Sequence, residues 1–321
     1  MASQFHVVDA LKLNAETDVF IGLPQESTNK QTFHRVPVRS SCIEGADDER
    51  IRVQFVNGSK HIVQSCRSLK RLVIRFPSVF VPWIKTYNDG NEDGGANANG
   101  GGAGHNNLSM GFGLYDSRAG PTPEEEKIMK NIDHLSAFLR TNLVCCEKLR
   151  TTLKIGSATM TPDQQRMLAD TIDLHIVRPL DPSQTRVSTG RDGEERLRSR
   201  YCYVKIVPPE DHIPKVFHTF FWTPEGKPIP LQTVLNWKYY YATPFVEIED
   251  IFVNKAVRSV QLKLRECIIK PPSERANVRF SMCFPDRVCE DVQPDAPEEE
   301  EEPPVKRQRP DSENEETDAQ E

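Results

Sequence analysis

Two segments alternate so regularly that a half-buried β-strand is the structure they fit. In RYCYVKIV (200–207), Cys202, Val204 and Ile206 fall on one side and Tyr201, Tyr203 and Lys205 on the other. In SVQLKLRECII (259–269), Val260, Leu262 and Leu264 oppose Gln261, Lys263 and Arg265. A period of two places alternate side chains on opposite faces of a strand, so each segment has an apolar inside. The outsides are rich in Tyr, Lys and Arg. Between the two lie ten aromatic residues from Phe217 to Phe252, out of 25 in the whole chain. Bases stack on flat rings and phosphates pair with cations, so such a module is a candidate surface for a single nucleic-acid strand. The same aromatics also suit an ordinary core.

Within this stretch Phe217, Phe220, Phe221, Phe245 and Phe252 are expected in the core. Read as a strand, WKYYY (237–241) puts Trp237, Tyr239 and Tyr241 on one face and Lys238 and Tyr240 on the other. Which face is exposed stays open. The predicted stacking groups are Tyr201, Tyr203 and Tyr240. The predicted phosphate partners are Arg198, Arg200, Lys205, Lys238, Lys263 and Arg265.

The rest of the chain divides by composition. Residues 1–87 read as the β-rich N-terminal part of the core. RVPVRSS and RIRVQFVNGSKHIVQS alternate, and Asn57-Gly58 predicts a two-residue hairpin turn because both residues tolerate positive φ. Residues 88–121 read as a Gly/Asn-rich flexible insertion, opening on NDGNEDGGANANGGGAG (88–104), which has no side chains to build a core. A phosphate loop is not expected there, because G-x-x-x-x-G-K-[ST] is lacking and no strand runs straight into a helix. Residues 122–178 are predicted helical. Thr122 is a cap, Pro123 the first helical residue, and Glu124 to Glu126 lie on the positive end of the dipole. Thr161-Pro162-Asp163 repeats that chemistry for a shorter helix to about Asp173. His134 and His175 are packing or surface residues by the same reading. The loop 179–199 carries Arg186, Arg191, Arg196 and Arg198, and reads equally as a solvated connection or as an arm that settles on phosphates. Residues 200–289 complete the core, with EGKPIP as a turn and NVRFSMCF as a last strand.

The net charge of −6 averages two unlike pieces. Residues 290–321 hold 14 acidic and 3 basic side chains, leaving 33 acidic and 38 basic in the remainder. A mildly basic body therefore carries an acidic tail, predicted disordered because it has almost no large apolar residues. A tethered polyanion has a high effective concentration at a cationic groove, so it competes with weak ligands and recruits protein partners when displaced. Inside the tail, PPVKRQRP reads as an import signal on Lys306, Arg307 and Arg309, and Ser312 as a phosphorylation site in an acidic context.

No nucleophile elbow, Walker loop, H-E-x-x-H, paired D-x-D or deaminase zinc signature occurs, so an enzyme is not expected. Glu247-Ile248-Glu249-Asp250 is the nearest acidic constellation, and it reads as the solvated face of an edge strand. The eight cysteines form no C-x-x-C pair and read as reduced thiols. No cofactor and no metal are expected. No apolar run reaches the roughly 18 residues of a membrane span, and no secretory signal opens the chain, so an intracellular protein without a membrane partner is expected.

The order of parts resembles the single-stranded-DNA-binding proteins of nucleocytoplasmic large DNA viruses, of the African swine fever virus type. The match consists of a strand pair (VPVRSS, RIRVQFVNG), a helical region (Thr122 to Asp173), a basic-aromatic strand with a hairpin (RYCYVKI, FFWTPEGKPI) and a late strand (VQLKLRECII). It spans most of Arg35 to Phe284. The resemblance implies an oligonucleotide-binding barrel and a replication or repair role in the host nucleus or at a viral replication site. The acidic tail and the Gly/Asn insertion depart from that pattern, and no contact residue is carried over. The expected fold is thus α+β, an antiparallel barrel of oligonucleotide-binding type with a helical insertion and a disordered acidic tail. The expected function is non-catalytic, largely sequence-independent binding of single-stranded DNA, with RNA as the other strand type. Expected partners are replication proteins at the tail and a second copy of the chain. The alternative is a nuclear or virion interaction protein that binds basic partners through its tail.

Overall fold

The computed structural model describes residues 4–27, 32–43, 53–87, 107–115, 120–177, 179–180, 187–189, 195–209, 213–255 and 257–270. The chain begins with β1 (Phe5–Asp9), the one-turn α1 (Ala15–Asp18), β2 (Val19–Gly22), β3 (Gln25–Ser27) and β4 (Phe33–Ser40). It continues through β5 (Ile62–Val63), β6 (Arg71–Arg75), β7 (Val79–Val81), β8 (Trp83–Tyr87) and β9 (Asn107–Gly113). A helical section holds α2 (Pro123–Cys145), α3 (Glu147–Thr152) and α4 (Pro162–Thr171). The chain then returns to strands: β10 (Val187–Thr189), β11 (Glu195–Leu197), β12 (Tyr201–Ile206), a 3-10 turn at Lys215–Phe217, β13 (Phe220–Trp222) and β14 (Pro228–Ile229). Helix α5 (Leu231–Leu235) leads into the two longest strands, β15 (Tyr240–Val253) and β16 (Arg258–Ile269).

These elements make a mixed α+β, strand-rich fold around one sheet. Its main path is β5-β2-β4-β15-β16-β12-β9-β8, an open order whose two ends are not paired with each other among the described residues. Most pairings are antiparallel. β15 is the spine: β16 follows one of its edges from Ala242 to Val253, while β7, β6 and β4 take turns along the other. β10 and β11 form a separate hairpin inside the segment expected as a basic loop.

Two bulges interrupt the spine. Phe245 pairs with Glu266 but Val246 with Leu264, which leaves Arg265 extra on β16. Ile248 pairs with Leu262 but Asp250 with Gln261, which leaves Glu249 extra on β15. A bulge twists the strand and re-aims a side chain. Both extra residues here are charged.

The helices follow their caps. The Thr122 hydroxyl accepts from the Glu125 backbone N–H while the Glu125 carboxylate accepts from the Thr122 N–H at 2.6 Å, a closed capping box. Thr161 and Gln164 repeat the arrangement for α4. The buried stripe Ile128, Ile132, Leu135 and Leu139 of α2 joins one continuous core with the inward residues of the sheet. Among the described residues no helix is long and apolar enough to cross a membrane.

Several expectations change. Residues 107–113, expected within the 88–121 insertion, are β9, paired with β8 and β12. Asn57 and Gly58 do turn the chain, with Gly58 at φ 78°, but pairing resumes only between Val56 and Ile62, so the loop exceeds two residues. WKYYY is not one strand: β15 starts at Tyr240, and Tyr239 sits at φ 57°. Glu247 to Asp250 lie on the central strand, and Glu247 is fully buried. NVRFSMCF, Cys283, Cys289 and the tail 290–321 lie outside the described residues.

Candidate nucleic-acid interface

β12 and β13 lie end to end along the edge of β16 that faces away from β15. β12 pairs in parallel through Lys205↔Lys263 and Ile206↔Leu264, and β13 takes over at Phe220↔Glu266 and continues to Trp222↔Ile268. The inward side chains of this composite strand are Cys202, Val204, Ile206 and Phe221, all buried. Burial pushes the Cys202 thiol up to about 12 and raises Cys267 likewise, so both are packing groups with negligible thiolate. Facing out are Tyr201, Tyr203, Lys205, Phe220 and Trp222. Tyr203 is 51% and Phe220 38% exposed.

The outward rings come in two pairs. Tyr201 and Tyr203 have centroids 6.3 Å apart and planes 28° apart; for Phe220 and Trp222 the values are 6.1 Å and 25°. Alternate residues of one strand produce this spacing, since the rise is about 3.3 Å per residue. Opposite Tyr203 on β9 stands Gly111, whose missing side chain leaves the space that the Tyr203 ring occupies. One ring face is thus held on the sheet. Burial, and then the neighbouring Tyr203, raise the Tyr201 phenol above its ordinary value, so it remains neutral at physiological pH.

A rung with three lysines crosses the strands beside the rings. Lys85, Ser109, Lys205 and Lys263 are successive register partners on β8, β9, β12 and β16. Lys205 is exposed, whereas Lys263 donates to Glu249 at 2.6 Å. Glu266 is exposed between Phe220 and Phe245 and opposes phosphate at that point.

Past Lys263 the rung enters an ion network centred on the buried Glu247 and Arg265. The Glu247 carboxylate accepts from Arg71 at 2.8 Å and from Arg265, and Arg265 also donates to the Phe217 carbonyl. The Phe217 ring closes over the network, 4.4 Å from the Arg71 guanidinium. Arg35 reaches Asp250 at 3.0 Å, and Arg39 donates to the Glu249 carbonyl at the same distance. Burial tends to raise Glu249, but the Lys263 hydrogen bond and the charges of Lys263, Arg71 and Arg35 together bring it below its ordinary value. Burial dominates at Asp250 and raises it against the attraction of Arg35.

The predicted contacts therefore separate. Tyr201, Tyr203 and Lys205 share one outward face, with Lys263 beside them in an ion pair. Tyr240, expected as a stacking group, is fully buried, because the strand begins there with an inward residue. Arg265, expected to meet phosphate, is 5% exposed and paired with Glu247, because the bulge turns it into the network. Arg200 is bound through both terminal nitrogens to Asp133 at 2.7 and 2.6 Å and also reaches the Val177 carbonyl, tying β12 to α2. Arg198 is half-buried, and its carbonyl accepts from the Tyr115 hydroxyl. Lys238 is exposed but stands before β15, apart from the Tyr203 face. Lys306, Arg307, Arg309 and Ser312 lie outside the described residues. Phe220, expected in the core, is exposed, and the signal for it was available: FFW alternates about Phe221.

Among the described residues no group of three His, Cys, Asp or Glu side chains is arranged to hold a metal ion. No family model and no curated protein matches this chain.

Proposed function

We propose that this protein binds a single nucleic-acid strand, without catalysis and largely independently of base sequence. The observation that carries this function is the outward face of β12 and β13, where Tyr201, Tyr203, Phe220 and Trp222 line one strand edge with Lys205 in their midst. Flat rings accept any base by stacking, and lysines take phosphates as point charges. Single-stranded DNA in viral replication or repair is the setting that the family resemblance implies. In the same spirit we take the bulged β15–β16 pair as the curved wall of an oligonucleotide-binding type of barrel, since bulges add twist to a sheet. The acidic segment 290–321 then acts as a competitor for the cationic face.

Salt titration of binding to labelled oligo-dT tests this, with the full chain beside a truncated chain ending at Cys289. Binding that weakens as salt rises, and tightens when the tail is removed, is the expected result. Absence of binding by both chains at low salt would refute it and leave the tail as the element that meets partners.

A further inference from the structure

The outward sheet face carries a second aromatic group beyond Trp222. Trp222 and Thr243 are both register partners of Ile268, and Tyr241, two residues from Thr243 along β15, is the partner of Phe80 on β7. Direct partners and alternate residues share a face, so Phe80 and Tyr241 lie on the same side as Phe220 and Trp222. At about 4.8 Å between strands and about 3.4 Å per residue, Tyr241 stands roughly 12 Å from Trp222.

Tyr239 adds a third ring, stacked on Phe80 at 6.3 Å and 13° between planes, with Tyr241 at 5.7 Å from Phe80. At 58% exposure it is also the most exposed aromatic residue described. Its φ of 57° is a left-handed backbone that bulky side chains avoid, and its N–H is held by the Pro82 carbonyl at 3.0 Å. A strained backbone that holds a large ring in solvent is the kind of cost found at functional positions.

Cations surround the group. Lys238 and Lys227 are exposed, and Lys270 follows Ile269 at the end of β16, level with Tyr241 by register. The Glu225 carboxyl is lowered by the Thr223 hydroxyl hydrogen bond, with Lys227 and Lys270 contributing as neighbouring charges. Between the two ring groups, Thr243, Phe245 and Ile268 line a recess of 410 Å³ whose far wall carries Asp9, Glu124 and Glu125. Asp9 on that wall is paired with Arg75 at 2.7 Å and Glu125 is spent on the helix cap, so the cations that can meet a polyanion lie on the lysine side.

We propose that the bound strand continues past Trp222, over Ile268 and Thr243, and onto Tyr241, Phe80 and Tyr239, with Lys227, Lys238 and Lys270 as its phosphate partners. This rests on the single-strand function above and extends its site to a second set of rings.

The test is fluorescence anisotropy of full-length protein with labelled oligo-dT of about 6 and about 20 nucleotides, lengths chosen around the roughly 4–16 that one such module occupies. Lys238→Ala with Tyr239→Ala should weaken the longer oligonucleotide about fivefold or more and leave the shorter one unchanged. Tyr203→Ala should weaken both. Tyr239→Gly, which removes the ring and suits the left-handed backbone, repeats the test should alanine disturb the fold. If these Tyr239 variants bind both lengths as the wild type does while Tyr203→Ala weakens both, the extension is wrong and the β12–β13 site stands. Equal weakening of both lengths by the Tyr239 variants also overturns it. If Tyr203→Ala changes neither length, the underlying function fails instead.

Discussion

The Tyr203 ring lies against Gly111. A Cβ at position 111 would stand 2.9 Å from the ring Cε1, closer than such contacts occur, and 3.1 Å from Cδ1. The obstruction is a side chain, so Gly111→Ala lifts the ring while the backbone stays. Alanine is also the better strand residue, which limits the stability change to about 1 kcal/mol. Strand affinity should fall in the direction of Tyr203→Ala, itself worth about 1–3 kcal/mol. In a Tyr203→Ala background, Gly111→Ala should change affinity no further, because there is no ring left to displace. Anisotropy on the four chains of that cycle, with urea unfolding alongside, measures both terms.

Lys205 and Arg200 sit in neighbouring sequence but have different work. Lys205→Ala should weaken binding and lower the slope of log affinity against log salt by about 0.7, the value for one phosphate contact on a single strand. Arg200→Ala breaks the fork on Asp133 and should cost about 1 kcal/mol of stability with the slope unchanged. A slope that drops in the Arg200 variant would return that side chain to the interface.

Glu247 is the anion between the buried guanidinium of Arg265 and the half-buried one of Arg71, and it is wholly inaccessible. Glu247→Ala leaves Arg265 buried without its counter-charge, so a loss of about 3–5 kcal/mol is expected in denaturant unfolding. Replacing the partner as well, Glu247→Leu with Arg265→Met, should recover part of that loss. A double variant no better than Glu247→Ala would show that the network contributes more than mutual charge compensation.

Glu249 makes part of the stability depend on pH. Its folded pKa lies below the ordinary value of 4.5, so its contribution is complete above that value and disappears as pH falls through the folded one. The stability difference between wild type and Glu249→Gln should therefore be flat from about pH 7 to pH 5 and shrink below about 4.5. Asp250, raised by burial, has the opposite sign: its ionisation costs stability as pH rises from 3.8 through the higher folded value. A gap between wild type and Glu249→Gln that widens on acidification would contradict the assigned shift.

Local chemistry was readable where it decides the structure. Strand β12 alternates as its residues require, and α2 and α4 begin at Thr122 and Thr161 because both carry a Pro at the next position and a Glu or Gln closing the box. What depends on distant partners was not. Tyr240 faces inward because β7 pairs with the start of β15, and Glu247 is buried because β6 and β16 flank it while Phe217 covers it. Neither fact has a trace within five residues of the site. The strand at 107–113 follows a glycine-rich stretch that masks it compositionally, and its residues Leu108, Met110 and Phe112 alternate with Ser109, Gly111 and Gly113. That alternation is as regular as the one in β12. The glycines made it look like turn, whereas Gly111 is there to receive a ring from the next strand.

The extra residue at Arg265 has a consequence for the composite strand. Lys205 and Phe220 both take their places from β16, at Lys263 and Glu266, three residues apart. In a regular strand an odd separation puts side chains on opposite faces; one bulged residue restores even parity. Arg265 thus works as a counting device. Were Arg265 paired as a regular strand residue instead of bulged, the three-residue step would turn Phe220 and Trp222 inward and Phe221 out. The outer surface would keep its tyrosines and lose its second pair of rings, with no residue of that pair having been changed.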